Sequence, residues 1–142
     1  MQRTLWLAAI YNLAWGTAAI LSPLTLFRWC GFEPLPNYPE LWQCIGMIVG
    51  VYGVGYGIAA ANPFRHWPIV FVGLLGKILG PIGFIGAVTS GRFPKLMGWT
   101  IVTNDLIWWL PFGIILWRGF QARQAKSQSA IERQKQDDVL QK

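Results

Sequence analysis

The chain has 142 residues, 54% of them hydrophobic and 13% charged, against about 25% charged in soluble domains. That deficit excludes an ordinary soluble domain and fits a multi-pass membrane protein, with length for four spans, short loops and little else. The net charge is +6, but the basic residues gather at span ends and in the C-terminal stretch, so membrane topology rather than a nucleic-acid partner accounts for them.

A span takes about 20 mostly apolar residues. Four are predicted: Thr4–Leu21, Leu41–Ala61, Trp67–Thr89 and Trp99–Trp117. The first is interrupted by Asn12. Its Leu5, Ala8, Asn12, Gly16 and Ala19 recur at helical spacing as a mostly small stripe, which puts Asn12 on the face that meets the other helices. The same stretch also reads as a signal peptide, with Arg3 as its basic start and small residues around Thr17–Ala19 as a cleavage site, which would leave three spans.

Pro23 ends the first span. With Pro34, Pro36 and Pro39, the segment 23–40 forms no long helix, and its Leu26, Phe27, Trp29 and Phe32 are expected at the membrane interface. Cys30 and Cys44 both fall on the predicted outer side, where a disulfide can persist, with ordinary packing as the alternative. There is no CxxC spacing, and His66 is the only histidine. No zinc, bis-histidine haem or redox cofactor is expected from such a set.

In the second span glycines stand at 46, 50, 53 and 57, and in the third at 73, 76, 80, 83 and 86. Steps of three and four line each set along one face, where small residues let backbones approach closely. Asn62-Pro63 and Arg65-His66-Trp67-Pro68 make the turn between these spans tight, so they are expected as antiparallel neighbours with both seams facing protein. Gln43 extends the second seam outward.

Between Arg65 and Arg92 the only charge is Lys77, and between Lys95 and Arg118 the only charge is Asp105. A charge in a span costs about 2.5–3.5 kcal/mol on insertion scales and marks a site or an internal pair. At about 1.5 Å per residue, Lys77 lies near the midplane and Asp105 about 9 Å below the outer edge. A direct pair, or a water or ligand between them, would both fit. Pro81 removes the hydrogen bond to the carbonyl of Lys77, and Pro111 does the same to Ile107. Asp105 has Trp108 at i+3 and Trp109 at i+4, and Asn104 precedes it. Tyr52 and Tyr56 add hydroxyls from the second span. The expected ligand site is therefore Lys77, Asp105, Asn104, Gln43, Trp108, Trp109, Asn12, Tyr52 and Tyr56.

Arg3, Arg65, Arg118, Arg123, Lys126, Arg133, Lys135 and Lys142 collect on one side, against Arg28, Arg92 and Lys95 on the other. This bias predicts both termini in the cytoplasm. Trp6, Trp67 and Trp117 at the inner edges and Trp29, Trp42 and Trp99 at the outer ones form an aromatic belt. Trp15, Trp108 and Trp109 remain at middle depth and need a packing reason or a ligand. The stretch 119–142 is polar and Gln-rich. It is expected as a solvated cytoplasmic extension of the 1–118 transmembrane domain, with docking to a partner or anionic lipid as the alternative.

The strings Gly76-Lys77-Ile78-Leu79-Gly80-Pro81-Ile82-Gly83-Phe84 and Asn104-Asp105-Leu106-Ile107-Trp108-Trp109-Leu110-Pro111-Phe112, with His66-Trp67-Pro68, look like those of short bacterial membrane proteins. The layout of a proline-rich first outer loop, a Gly-rich middle hairpin and a polar residue in the last spans resembles the DoxX-like group of four-helix inner-membrane proteins. That resemblance implies redox or quinone-linked membrane partners.

The expected fold is thus an all-α, four-transmembrane-helix antiparallel bundle in the bacterial inner membrane. The leading function is to bind the head of a lipid-like or quinone-like molecule, as an accessory to a redox membrane complex or as a homo-oligomer. Three alternatives stand beside it: a small proton-coupled transporter, a cofactor-free membrane enzyme acting on a lipid or sterol-like substrate, and a structural subunit ordered by a Lys77–Asp105 salt bridge.

Overall fold

Lipid offers no partner to a backbone N–H or C=O, so long apolar runs with few breakers fold as helices that satisfy themselves. The computed structural model describes residues 1–140, without the side chains of 135 and 137–140. The helices are α1 (Gln2–Leu21), α2 (Thr25–Trp29), α3 (Pro39–Ala61), α4 (Trp67–Thr89), α5 (Gly98–Ile101) and α6 (Ile107–Leu140), with a π turn over Val102–Leu106. Among the described residues there is no strand. Four helical runs are long and apolar enough to cross a membrane: α1, α3, α4 and Lys95–Gln134.

The boundaries follow from local chemistry. Pro39 opens α3 and Pro68 lies in the first turn of α4, where a missing N–H costs nothing. After α3, the Asn62 side-chain oxygen accepts the Arg65 N–H at 3.1 Å and the Asn62 carbonyl accepts the His66 N–H at 3.0 Å. At the end of α4, Thr89 and Ser90 hydroxyls donate to the Ile85 and Gly86 carbonyls at 2.9 and 2.8 Å. The two hydroxyl bonds at the end of α4 fold back on carbonyls of its last turns, as Ser and Thr side chains do there. Gly91, at φ +70°, then takes a backbone conformation other residues rarely adopt.

The buried face of α1 is Leu5, Ala8, Ala9, Asn12, Gly16 and Ala19, the expected stripe with Ala9 added. It lies against the glycine seam of α3. The amide of Gln2 reaches the Ala61 carbonyl at one end, and that of Gln43 reaches the Ile20 carbonyl at 2.8 Å at the other. The contact is close: a Cβ on Gly53 would stand 3.0 Å from the Ala9 carbonyl oxygen, and one on Gly16 3.0 Å from the Gly50 nitrogen. We expect Gly16→Ala to lower the thermal stability of the purified protein, at an overpacking cost of roughly 1–3 kcal/mol. Gly86→Ala, where a Cβ meets nothing within 4 Å, should leave stability unchanged or raise it. Equal melting temperatures for the two variants would contradict this account of the α1–α3 seam.

The two glycine seams therefore do not share a fate. That of α3 packs on α1, not on α4. In α4, Gly73 meets Tyr56 and Gly80 meets Asp105, but Gly76, Gly83 and Gly86 have nothing within 4 Å of a would-be Cβ. The expectation that both seams face protein holds for α3 and only in part for α4. Hairpin neighbours in sequence need not make the closest pair, because the small faces of α1 and α3 fit each other better.

All four long helices meet in one core of Leu5, Ala8, Ala9, Tyr56, Ala59, Ala60, Val70, Trp108, Phe112 and Ile115. A second, smaller core of Phe27, Cys30 and Met97 closes the end of the bundle where α1 stops and α3 starts. There the ring of Phe27 lies edge-on to Phe32 and Trp42, with centroids 5.0 and 4.9 Å away. The aromatic loop thus packs as a cap that leaves Trp29 and Tyr38 largely exposed, at 77% and 70%. Leu26, Phe27 and Phe32 turn to protein because the short helix α2 folds them over the helix ends. Trp15 finds its packing reason here, edge-on to Trp42 at 5.4 Å. Cys30 is a free, buried thiol and Cys44 a free, exposed one. Burial pushes the Cys30 thiol above its ordinary value.

At the opposite end α6 runs on without a break past Gly119 to Leu140, and its residues from Gln121 to Gln134 are exposed. The expected polar extension is thus a continuation of the last helix. Residues 141 and 142 of that extension lie outside the described residues.

Candidate functional site

Three polar side chains stand in the interior of the bundle: Asn12 at 3% exposed, Lys77 at 4% and Asp105 at 6%. Each comes from a different helix. Asn12 sits in a regular helix, whereas Lys77 and Asp105 sit where Pro81 and the π turn make theirs irregular.

In α4, Pro81 cannot donate to the carbonyl of Lys77. The indole N–H of Trp109 takes that place, donating to the Lys77 carbonyl at 2.9 Å. In the last span, the π turn interrupts the regular i→i+4 ladder around Asn104. The Lys77 ammonium donates to the Asn104 carbonyl. Each helix thus offers an irregular carbonyl and receives a side-chain donor from the other. This reciprocal clamp fixes α4 against the π turn.

The clamp also settles what Lys77 touches. Among the described residues, no hydrogen bond or ion pair joins Lys77 to Asp105; the lysine spends a donor on a backbone carbonyl instead. Its nitrogen also lies 5.9 Å from the ring centre of Trp108, within the range of cation–π attraction. Asp105 accepts from the Asn104 amide at 3.2 Å. Its other oxygen lies over Gly80, where a Cβ would stand 3.3 Å away. Gly80 therefore makes room for the carboxylate. Gly73 does the same for the ring of Tyr56, which a Cβ at that position would strike.

These groups surround a cavity of about 160 Å³ lined by Asn12, Ile48, Val49, Tyr52, Tyr56, Gly73, Gly76, Lys77, Asn104 and Asp105. The polar wall comes from α1, α3, α4 and the π turn. Ile48 and Gly76 are exposed on the outside of the bundle, so the cavity reaches the surface between α3 and α4. The side-chain carbonyl oxygens of Asn12 and Asn104 are buried without a hydrogen-bond partner. A buried, unpaired amide oxygen costs about 1–3 kcal/mol.

Of the nine residues expected at a ligand site, six line this cavity: Lys77, Asp105, Asn104, Asn12, Tyr52 and Tyr56. Trp108 and Trp109 stand behind it. Trp108 is packed between Tyr11 and Phe112, at centroid distances of 5.9 Å to each, and Trp109 is committed to the clamp. Gln43 lies elsewhere: its amide closes the last turn of α1 through the Ile20 carbonyl, a role its place at the start of α3 allows and a depth estimate does not reveal. Ile48 and Val49 carry no signal in the sequence, since nothing distinguishes them from ordinary apolar span residues, whereas Gly76 belongs to the glycine seam of the third span. Gly73 and Gly80 carried a signal, four before and three after Lys77, which read as helix packing.

Among the described residues no group of three or more His, Cys, Asp or Glu side chains is placed to hold a metal ion. Comparison with protein-family models, with curated proteins and with solved structures returns no match.

Proposed function

We propose that this protein binds the polar head of a lipid-like or quinone-like molecule in the Lys77–Asp105 cavity, as a binding or accessory protein of a membrane redox complex. The observation that carries the reading is the cavity itself. Four elements bring polar atoms to one small space, and two of those atoms, on Asn12 and Asn104, have no partner within the protein. A volume of about 160 Å³ suits a head group or a single ring rather than a whole drug-sized ligand, for which pockets run to roughly 300–1,000 Å³. The tail of such a molecule would leave past Ile48 and Gly76 into the lipid. Lys77 retains donors beyond the one given to Asn104 and suits a carbonyl oxygen; Asn12, Asn104 and Asp105 suit hydroxyl donors. The resemblance to DoxX-like proteins points in the same direction.

In this reading the spans alternate in direction and both termini lie in the cytoplasm of a bacterial cell. The Gln2–Ala61 and Gln43–Ile20 contacts support the first part, and the excess of Lys and Arg beyond Trp117 supports the second.

The test uses purified protein and a short-chain ubiquinone analogue. The expected result is a rise in melting temperature that Gly76→Val, which narrows the cavity mouth at a position where a Cβ meets nothing within 4 Å, abolishes. Organic extraction of the purified protein should also release a bound lipid or quinone identifiable by mass spectrometry. No thermal shift with the analogue, together with an empty extract, would overturn the proposal.

A further inference from the structure

A second concavity lies at the other end of the bundle, between the first turns of α4 and the part of α6 that leaves the core. It measures about 530 Å³ and is lined by Trp67, Phe71, Gly113, Trp117, Phe120 and Arg123, among others. Its floor is apolar. Its rim is aromatic, with Trp67 half-buried and Trp117 and Phe120 exposed by 65% and 60%. Tryptophan rings at this position in a span mark the boundary between hydrocarbon and head groups.

Two features set this groove apart from the rest of the lipid-facing surface. Gly113, where a Cβ would meet nothing within 4 Å, leaves a gap in α6 that opens the groove toward the membrane interior. At the polar end, the central carbon of the Arg123 guanidinium lies over the Trp67 ring, 4.9 Å from the ring centre, within the range of cation–π attraction. That contact spends none of the guanidinium N–H donors, which can make a two-point contact with a phosphate. Among the described residues no carboxylate pairs with Arg123. Arg118 and Lys126 flank it in sequence and Arg65 precedes Trp67 closely, so the start of α4 and this stretch of α6 are rich in cations.

We infer that this groove is a binding site for one anionic phospholipid, its acyl chains lying along Phe71, Gly113 and Phe120 and its phosphate held by Arg123. Charge decides the occupant. A zwitterionic lipid would cover the same apolar floor and offer the same phosphate, but it would bring a choline cation beside these basic residues, whereas a net negative head group is only attracted by them. A basic pocket between spans at the interface is the setting in which anionic head groups are held. The groove shares no lining residue with the Lys77–Asp105 cavity, so the two sites stand or fall separately.

Native mass spectrometry of the full chain, released from mixed micelles containing equal amounts of phosphatidylglycerol and phosphatidylcholine, tests the inference. The wild-type protein should retain one phosphatidylglycerol molecule in preference to phosphatidylcholine. Arg123→Gln should reduce that preference by about fivefold, the worth of one basic residue beside an anionic head group. Arg133→Gln, well beyond the groove on the exposed part of the same helix, should leave the preference within about twofold, as a surface charge does. Arg123→Lys should restore only part of it, because lysine keeps the charge but not the flat two-point geometry. Equal retention of both lipids by the wild type would overturn the site, as would an unchanged preference in Arg123→Gln. A thermal stabilisation by inorganic phosphate that matches the one by phosphatidylglycerol would also overturn it, since it would make the occupant a free anion.

Discussion

Lys77→Met is expected to lower the unfolding free energy in detergent by about 3 kcal/mol, the scale of removing one partner from a buried charged constellation. The geometry says why. Lys77 is buried and donates to the Asn104 carbonyl. Methionine keeps the length and apolar stem of the side chain, but it removes the charged donor from that carbonyl and leaves Asp105 as the sole charge in the cavity, supported only by the Asn104 amide at 3.2 Å. Asp105→Asn should cost less, about 1–2 kcal/mol, because an amide can still accept and donate hydrogen bonds where the carboxylate stood. The double variant should be more stable than Lys77→Met alone, since neutralising Asp105 removes the charge that the first substitution isolates. Chemical or thermal unfolding of the three variants measures the coupling as a double-mutant cycle. Strict additivity would mean that the two charges do not sense each other across the cavity. Neutral single variants would mean that neither group is confined as described.

That result bears on why so much of this arrangement was legible in the sequence while its wiring was not. The spans could be read because apolar length and proline breaks are local properties: α3 and α4 end at Ala61 and Thr89, where the sequence places their ends. The stripe on α1 could be read because helical periodicity alone fixes it. The freed carbonyl at Lys77 could be read because proline chemistry fixes it. What the sequence did not reveal is which neighbour answers each demand. Lys77 and Asp105 invite a salt bridge on charge alone, but the π turn at Val102–Leu106 changes the register of the last helix. With one extra residue in that turn, Trp109 no longer shares the face of Asp105 and reaches the Lys77 carbonyl instead. The turn also presents the Asn104 carbonyl to the lysine. No composition signal announces a π turn. The partner of the α3 glycine seam was hidden for a similar reason. Spacing gives the smooth face of a helix but not the helix that will lie on it.

Asn12→Leu is expected to raise the melting temperature of the ligand-free protein while abolishing its response to a short-chain ubiquinone analogue. Asn12 is 3% exposed and its carbonyl oxygen has no hydrogen-bond partner. Replacing a buried amide that cannot satisfy itself with an apolar side chain of similar size removes a penalty of about 1–3 kcal/mol. Leucine also fills space beside Tyr56 and the cavity. A purely structural asparagine would behave in the opposite way, because its removal would break a bond and lower stability. The two readings therefore differ in sign, not only in size, and one melting experiment with and without the analogue separates them. A stabilised variant that no longer responds would mean that the chain keeps an unpaired polar atom in its core because a ligand completes it. A destabilised Asn12→Leu would mean that the amide already has what it needs within the bundle, and the cavity would then be a packing defect between α3 and α4.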